Sequence, residues 1–160
     1  MSKLLIKQRV FSWSDTYDVY DKDGNPKYYV EAEFLSIGHK LHIYRHDTGE
    51  EVAFIRQCLF RFLPTAEISV GYRVLGEIRK EFTFFIPKYT IDYNGWTIDG
   101  NFMGWDYSIT NSSGSTVAQI SKELFRWGDT YVLTVYDDSD EVDALVTVIA
   151  IDMMNCSHND

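Results

Sequence analysis

The chain repeats one degenerate pattern six times. The clearest copies are FSWSDTY from Phe11 and FRWGDTY from Phe125, and a longer match relates VAFIRQCLFRF at 52–62 to VAQISKELFRW at 117–127. Each copy has an aliphatic residue, three others, an apolar residue, two others, and then an aromatic residue or Ile that we call the marker. The markers, 20 to 25 residues apart, are Trp13, Ile37, Phe62, Phe85, Trp105 and Trp127. This regular spacing indicates six copies of one supersecondary unit.

Each unit has the composition of two β-strands joined by a short connection. Val, Ile, Phe and Tyr alternate with polar residues on both sides of each marker, as they do in strands. Turn-forming residues separate the units, for example Asp23-Gly24-Asn25-Pro26 and Asn94-Gly95. Six such units predict about twelve antiparallel strands.

The apolar residues change from one face of the predicted strand to the other just before the marker. The change falls at Val10/Phe11, at Leu59/Phe60 and near Leu124. A flat strand cannot change face in this way, because its side chains alternate with a period of two residues. We therefore expect a bulge or a sharp bend in each unit, with the marker packed at the corner.

The segment after the last unit is of a different kind. Residues 138–141 (DSDE) supply capping and acidic side chains for a helix start, and the following VDALVTVIAIDMM is apolar on nearly every side. Its many Val and Ile residues leave a final buried strand as the alternative. A barrel of twelve strands, unlike one of eight, is too wide for its own side chains to fill, which favours a buried helix over about 139–153.

The predicted fold is therefore mainly β. It is a closed antiparallel barrel of about twelve strands around a central hydrophobic C-terminal α-helix. We expect one domain over residues 1–154 and a polar tail over 155–160.

Charge and composition exclude several classes of protein. The formal net charge of −9 disfavours general binding to nucleic acid or to anionic membranes. The longest apolar segment is shorter than the roughly 18 residues of a membrane-spanning helix, and the N-terminus lacks the apolar core of a signal peptide. Two cysteines, Cys58 and Cys156, do not form a disulfide framework. We expect a cytoplasmic protein with free thiols.

The order of the motifs resembles a known family. The runs LLIKQRVFSWSDTYDVYD, VEAEFLSIG, LFRFLPTAEI, RKEFTFFIPKYTI, VAQISKELFRWGDTYVL and VTVIAID follow one another over nearly the whole chain as they do in the LURP-one-related family. This resemblance implies the fold of the Tubby C-terminal domain, twelve strands around a central hydrophobic helix, and a similarity to phospholipid scramblases. It implies no particular activity.

The residues that could carry catalysis or bind a metal have structural explanations. His42 would lie within a strand and His39 and His46 in its flanking connections, about 10–13 Å away at the rise of a strand, too far apart for one zinc site. Cys156 and His158 lie in the predicted tail, and the acidic pairs Glu50/Glu51 and Asp137/Asp138 fit a solvated turn and a helix cap. No nucleophile elbow, P-loop or dinucleotide-binding glycine pattern is present. We expect no enzyme activity, cofactor or metal.

A set of basic residues is the one candidate for ligand contact. The resemblance to Tubby, whose barrel binds a phosphoinositide headgroup through basic residues, implies that a similar patch here would bind phosphate or lipid. The candidate residues are Arg56, Arg61, Arg79, Lys80, Lys88, Lys122 and Arg126.

Three functions are compatible with the sequence. The favoured one is a non-enzymatic binding or scaffold module of the LURP-one-related type, whose partner is another protein or a lipid headgroup. The second is a phospholipid- or membrane-associated module of the Tubby or scramblase type, which needs the basic residues on one side. The third is an enzyme with a site in a loop cleft at one end of the barrel.

Overall fold

The computed structural model describes residues 1–7, 16–33, 35–82, 87–92, 94–101, 104–125 and 128–156. Within these ranges the chain forms twelve strands, a single-turn 3-10 helix at Asp138–Asp140 and the α-helix α1 at Glu141–Cys156. The strands are β1 (Ser2–Lys7), β2 (Tyr17–Asp21), β3 (Pro26–Ala32), β4 (Lys40–Arg45), β5 (Glu51–Cys58), β6 (Thr65–Val70), β7 (Arg73–Phe82), β8 (Pro87–Ile91), β9 (Thr97–Asn101), β10 (Asp106–Thr110), β11 (Thr116–Phe125) and β12 (Gly128–Val135).

The twelve strands form one antiparallel sheet that curls into a nearly closed barrel. Strands that follow one another in sequence pair with one another from β1 to β8 and from β9 to β12, and β1 also pairs with β12. At the remaining seam β8 and β9 lie side by side, and no hydrogen-bonded ladder joins their described residues. The mainly β barrel predicted from the sequence is confirmed, except that it is nearly closed rather than fully closed.

Each sequence unit is one hairpin made of an odd-numbered strand and the even-numbered strand after it. The markers fall between the two strands of each hairpin, as Ile37 does between β3 and β4. Because neighbouring strands are antiparallel, every odd-numbered strand ends, and every even-numbered strand begins, at the same end of the barrel. We call this the marker end, and the opposite one the turn end.

Helix α1 fills the interior of the barrel. Residues 144–151 and the two residues Met153 and Met154 are buried against inward-facing strand residues such as Ile43 and Ile68. Since β12 ends at the turn end, α1 runs from the turn end towards the marker end. This confirms the predicted central helix. Without the helix, the interior of a barrel this wide would be unfilled.

The boundaries of α1 differ from those expected. The helix begins at Glu141, after the 3-10 turn, and ends at Cys156 rather than at about residue 153. Asn155, expected in a polar tail, is part of the helix, where its side-chain oxygen accepts a hydrogen bond from the Tyr89 hydroxyl. A polar residue at the end of an apolar run can thus continue a helix when a barrel side chain satisfies it.

The expected bends occur in only part of the described chain. The chain turns sharply after β5, where Phe60 has a φ of 62°. By contrast β11 and β12 pair without a register shift through Leu124↔Asp129, so the prediction of a bulge near Leu124 is wrong, and its alternative, a sharp bend, stays a prediction. The bend expected at Val10/Phe11 lies outside the described residues.

Only one of the three described markers packs as predicted. Trp105 stacks on Tyr131, with 3.7 Å between ring centroids, and packs against the core as predicted. Ile37 and Phe62 do not: both are exposed to water, because their connections extend past the last paired residues of their hairpins. Trp13, Phe85 and Trp127 are markers that lie outside the described residues.

Candidate functional site

Four large apolar side chains project into water at the marker end. Leu35 and Ile37, in the connection between β3 and β4, are 89% and 85% exposed. Phe60 and Phe62, in the connection between β5 and β6, are 103% and 101% exposed. We call these four residues the apolar rim. Single exposed apolar residues are common on proteins, but a group of them at one place marks a contact surface.

Contacts between the two connections hold the rim in place. Gly38 has a φ of +80°, and a Cβ at this position would lie 3.2 Å from the Leu59 side chain, so the two connections pack closely here. The Gln57 backbone N–H donates a hydrogen bond to the His39 carbonyl at 2.8 Å, and the His39 backbone N–H donates one to the Gln57 side-chain Oε1 at 3.1 Å. The two connections that carry the rim therefore contact each other through packing and hydrogen bonds.

The backbone of Phe60 adds a second unusual feature. A φ of 62° places this residue in the left-handed region, which is disfavoured for a bulky side chain. Such strain costs about 1–3 kcal/mol and tends to occur at functional positions. Since the Phe60 ring is also fully exposed, neither core packing nor backbone preference explains a phenylalanine at this position.

The turn end is rich in carboxylates. Residues 136–143 contain five carboxylates and no Lys or Arg. In the connection after β2, the Asp21 carboxylate accepts hydrogen bonds from the Asp23 and Asn25 amides, both at 2.9 Å. The turn end is thus acidic, although it also exposes apolar side chains, those of Met1, Tyr72, Val74 and Tyr136.

Three of the predicted basic residues lie around Glu67 and Glu77: Arg56 on β5, Arg79 on β7, and Arg61 in the connection between β5 and β6. Arg56 Nη2 is 3.0 Å from a Glu67 oxygen, and the register places these residues opposite each other. Arg61 and Arg79 both approach Glu77, at 3.1 Å and 3.8 Å. Each arginine in this group therefore faces a carboxylate.

Two further predicted basic residues, Lys80 and Lys122, lie outside this group. Lys80 on β7 is only 4% exposed and lies with its Nζ 6.0 Å from the centre of the Tyr89 ring; burial lowers the pKa of this lysine. Lys122 is exposed on β11, on another part of the wall. The Lys88 side chain and Arg126 lie outside the part of the chain that is described.

His42 is held between two carboxylates on the outer wall. Its Nδ1 lies 2.6 Å from Glu51 Oε1 and its Nε2 lies 2.8 Å from Glu33 Oε1. Partial burial lowers the pKa of His42, but hydrogen bonds to Glu51 and Glu33 outweigh this, so the pKa is above its ordinary value. Both ring nitrogens are thus engaged. An open depression of about 400 Å³ lies beside the ring, lined also by Glu50, Phe54 and Tyr72.

The His42 cluster predicts a dependence of stability on pH. A histidine whose pKa is raised in the folded state stabilises the fold fully below the unfolded value, near 6.5, and loses this contribution as the pH rises through the folded value. We expect the difference in melting temperature between wild type and His42→Gln to be largest at pH 6 and to shrink at pH 9. A Glu33→Gln variant should titrate at lower pH than wild type when the His42 ring is followed by NMR. A difference in melting temperature that grows with pH would contradict the ion pairs.

The remaining expectations concern metals and membranes. Within the described ranges, no group of three or more His, Cys, Asp or Glu residues could hold a metal ion. Nor does any helix in those ranges have the length and apolar character needed to cross a bilayer.

Sequence reasoning did not identify the rim. It assigned Ile37 and Phe62 to corner packing because both occupy the marker position. The available signal was local: Phe60-Arg61-Phe62 places two aromatic residues around a cation shortly before a proline, in a segment too short to return to the core.

Comparison with known proteins gives three matches. The model of the LURP-one-related family matches residues 2–152. The uncharacterized protein YxjI of Bacillus subtilis strain 168 is 32% identical over 154 residues, which cover 96% of this chain and 94% of that protein. The X-ray structure of an Arabidopsis thaliana protein superposes with a TM-score of 0.63 at 15% identity, over 94% of this chain and 90% of that one, a likeness in fold alone.

Proposed function

This chain belongs to the LURP-one-related family, and we propose that it is a non-enzymatic binding module that contacts its partner through the apolar rim. The observation that carries the proposal is the near-complete exposure of Leu35, Ile37, Phe60 and Phe62 on two touching connections. Removing such side chains from water is favourable, by about 1.5–3 kcal/mol for each one fully buried, so a partner gains affinity by covering them.

The interior of the barrel supports a contact surface outside it. Helix α1 occupies the lumen with side chains such as Leu145 and Ile149, which are 0% and 1% exposed. Barrels that hold a ligand inside need an empty cavity there. A ligand of this protein therefore binds on the outside, where the rim is.

The environments of His42 and Cys58, two side chains of the types that often act in catalysis, support the proposal that the protein is not an enzyme. Both nitrogens of His42 face carboxylates, so neither is directed at a substrate. Burial, with a contribution from Glu77, raises the pKa of the Cys58 thiol, which makes the reactive thiolate scarcer. Cys58 is also a free thiol, which favours the cytoplasm as the compartment.

A phosphate or lipid headgroup site of the Tubby type remains a second proposal. It is favoured by the grouping of Arg56, Arg61 and Arg79 around Glu67 and Glu77. Their carboxylate partners weaken it, since Glu67 and Glu77 must be displaced or outcompeted by the phosphate. Of the three, Arg61 has the best support because it lies between the two rim phenylalanines.

Photo-crosslinking from the rim tests the proposed function. A photoreactive phenylalanine analogue at position 62, introduced into the full chain in cells that express it, should give covalent adducts. The matched control is position 72 at the turn end, where Tyr72 is equally exposed at 109%. We expect at least tenfold more adduct from position 62. Equal adduct from the two positions would overturn the assignment of the rim.

A further inference from the structure

The rim has the chemistry of a membrane-docking surface. Resting on the proposed function and naming its partner, we propose that the marker end inserts into the headgroup layer of a bilayer containing anionic lipid. The occupant is the lipid surface itself, contacted by the rim side chains together with Arg61.

The way in which the rim side chains project favours a lipid bilayer over a protein as the partner. Phe60 and Phe62 project fully into water from a connection of six residues, and Leu35 and Ile37 do so from the neighbouring hairpin. A protein partner would need a separate pocket for each projecting side chain. A lipid interface needs none, because apolar side chains of this kind enter the boundary between headgroups and acyl chains.

The distribution of charge supports an anionic surface. Arg61 lies between the two phenylalanines, and its side chain is 53% exposed in the pair with Glu77, so a lipid phosphate can compete with the carboxylate for it. Lys40 begins β4 at the same end and pairs with Glu33 at 3.5 Å. Four carboxylates of residues 136–143, all except the buried Glu141, lie at the opposite end, where an anionic surface repels them. This distribution favours the approach of the marker end to an anionic surface even though the net charge is negative.

Vesicle co-sedimentation tests this inference on the full chain. The probe is large phosphatidylcholine vesicles with about one-third phosphatidylglycerol, compared at low and high salt. We expect wild type to bind, and Phe60→Ser/Phe62→Ser to lower the partition coefficient at least tenfold, or about 1.4 kcal/mol. Tyr72→Ser, the same change at the turn end, should stay within twofold of wild type.

A second pair of variants tests the charge. Arg61→Gln should weaken binding about threefold to tenfold at low salt and have less effect at high salt. Lys22→Gln removes a cation from the turn end, in the connection between β2 and β3, and should have little effect. Unchanged melting temperatures would show that all these surface variants remain folded.

The outcomes separate this inference from the proposed function. Absence of vesicle binding by wild type, or binding that Phe60→Ser/Phe62→Ser leaves unchanged, would overturn membrane docking. If position 62 then gives protein adducts in cells, the rim is a protein-binding surface and the proposed function stands. If position 62 gives no more adduct than position 72 and vesicles do not bind, both fail.

Discussion

Replacing Ile149 by aspartate is expected to leave the chain unable to fold. Ile149 lies in the second half of α1, is 1% exposed and belongs to the core between helix and barrel wall. An ionised carboxylate there costs several kcal/mol, and a protonated one still loses the packing of the aliphatic side chain. The total stability of a domain is about 5–15 kcal/mol. Far-UV and near-UV circular dichroism with thermal unfolding measure the outcome.

Two controls isolate the burial of charge. Ile37→Asp makes the same chemical change at an isoleucine that is 85% exposed, and should alter the free energy of unfolding by less than about 0.5 kcal/mol. Ile149→Val keeps an apolar side chain at the central position and should cost about 0.5–1.5 kcal/mol. If Ile149→Asp gave a soluble protein that melted cooperatively near the wild-type temperature, α1 could not be the core of the barrel.

The contrast between buried Ile149 and exposed Ile37 shows how much of the fold could be predicted from the sequence. A repeat with strand composition specifies hairpins, and an all-apolar final segment has to be enclosed, so strand number and the central helix followed from local pattern. The pattern does not say how far each connection extends past its strands. Ile37 and Phe62 occupy the same repeat position as Trp105, yet only Trp105 reaches a core partner, Tyr131.

The neighbours and burial of the basic residues could not be predicted, because they depend on the pairing register of the strands. Arg56 is neutralised because the β5–β6 register places Glu67 opposite it, and Lys80 is buried because it shares the inward face of Ile78. Both facts depend on which residue begins each strand, and composition does not fix that. Clusters that join distant segments, such as Glu33, His42 and Glu51, depend on register in the same way.

Replacing Lys27 by methionine is expected to destabilise the protein by about 2 kcal/mol, because it leaves a buried carboxylate without its cation. Glu141, the first residue of α1, is 5% exposed; Lys27 Nζ lies 2.7 Å from its Oε1, and the Tyr28 hydroxyl donates to the same oxygen at 2.6 Å. This cluster fastens the start of the central helix to β3. Lys40→Met breaks the more exposed pair with Glu33 and should cost less than about 1 kcal/mol.

A double-mutant cycle and a pH series identify Glu141 as the source of the effect. Lys27→Met/Glu141→Gln should recover about 1 kcal/mol or more relative to the sum of the single variants, since no charge is then left unpaired.

Burial raises the pKa of Glu141, but hydrogen bonds from Lys27 and Tyr28 outweigh it and the pKa lies below its ordinary value. The stabilisation is therefore fully present above about pH 4.3 and is lost as the pH falls through the folded pKa. Urea unfolding should show wild type approaching Glu141→Gln in stability as the pH falls below 4. Equal destabilisation by Lys27→Met and Lys40→Met would mean that β3 holds the helix by packing alone.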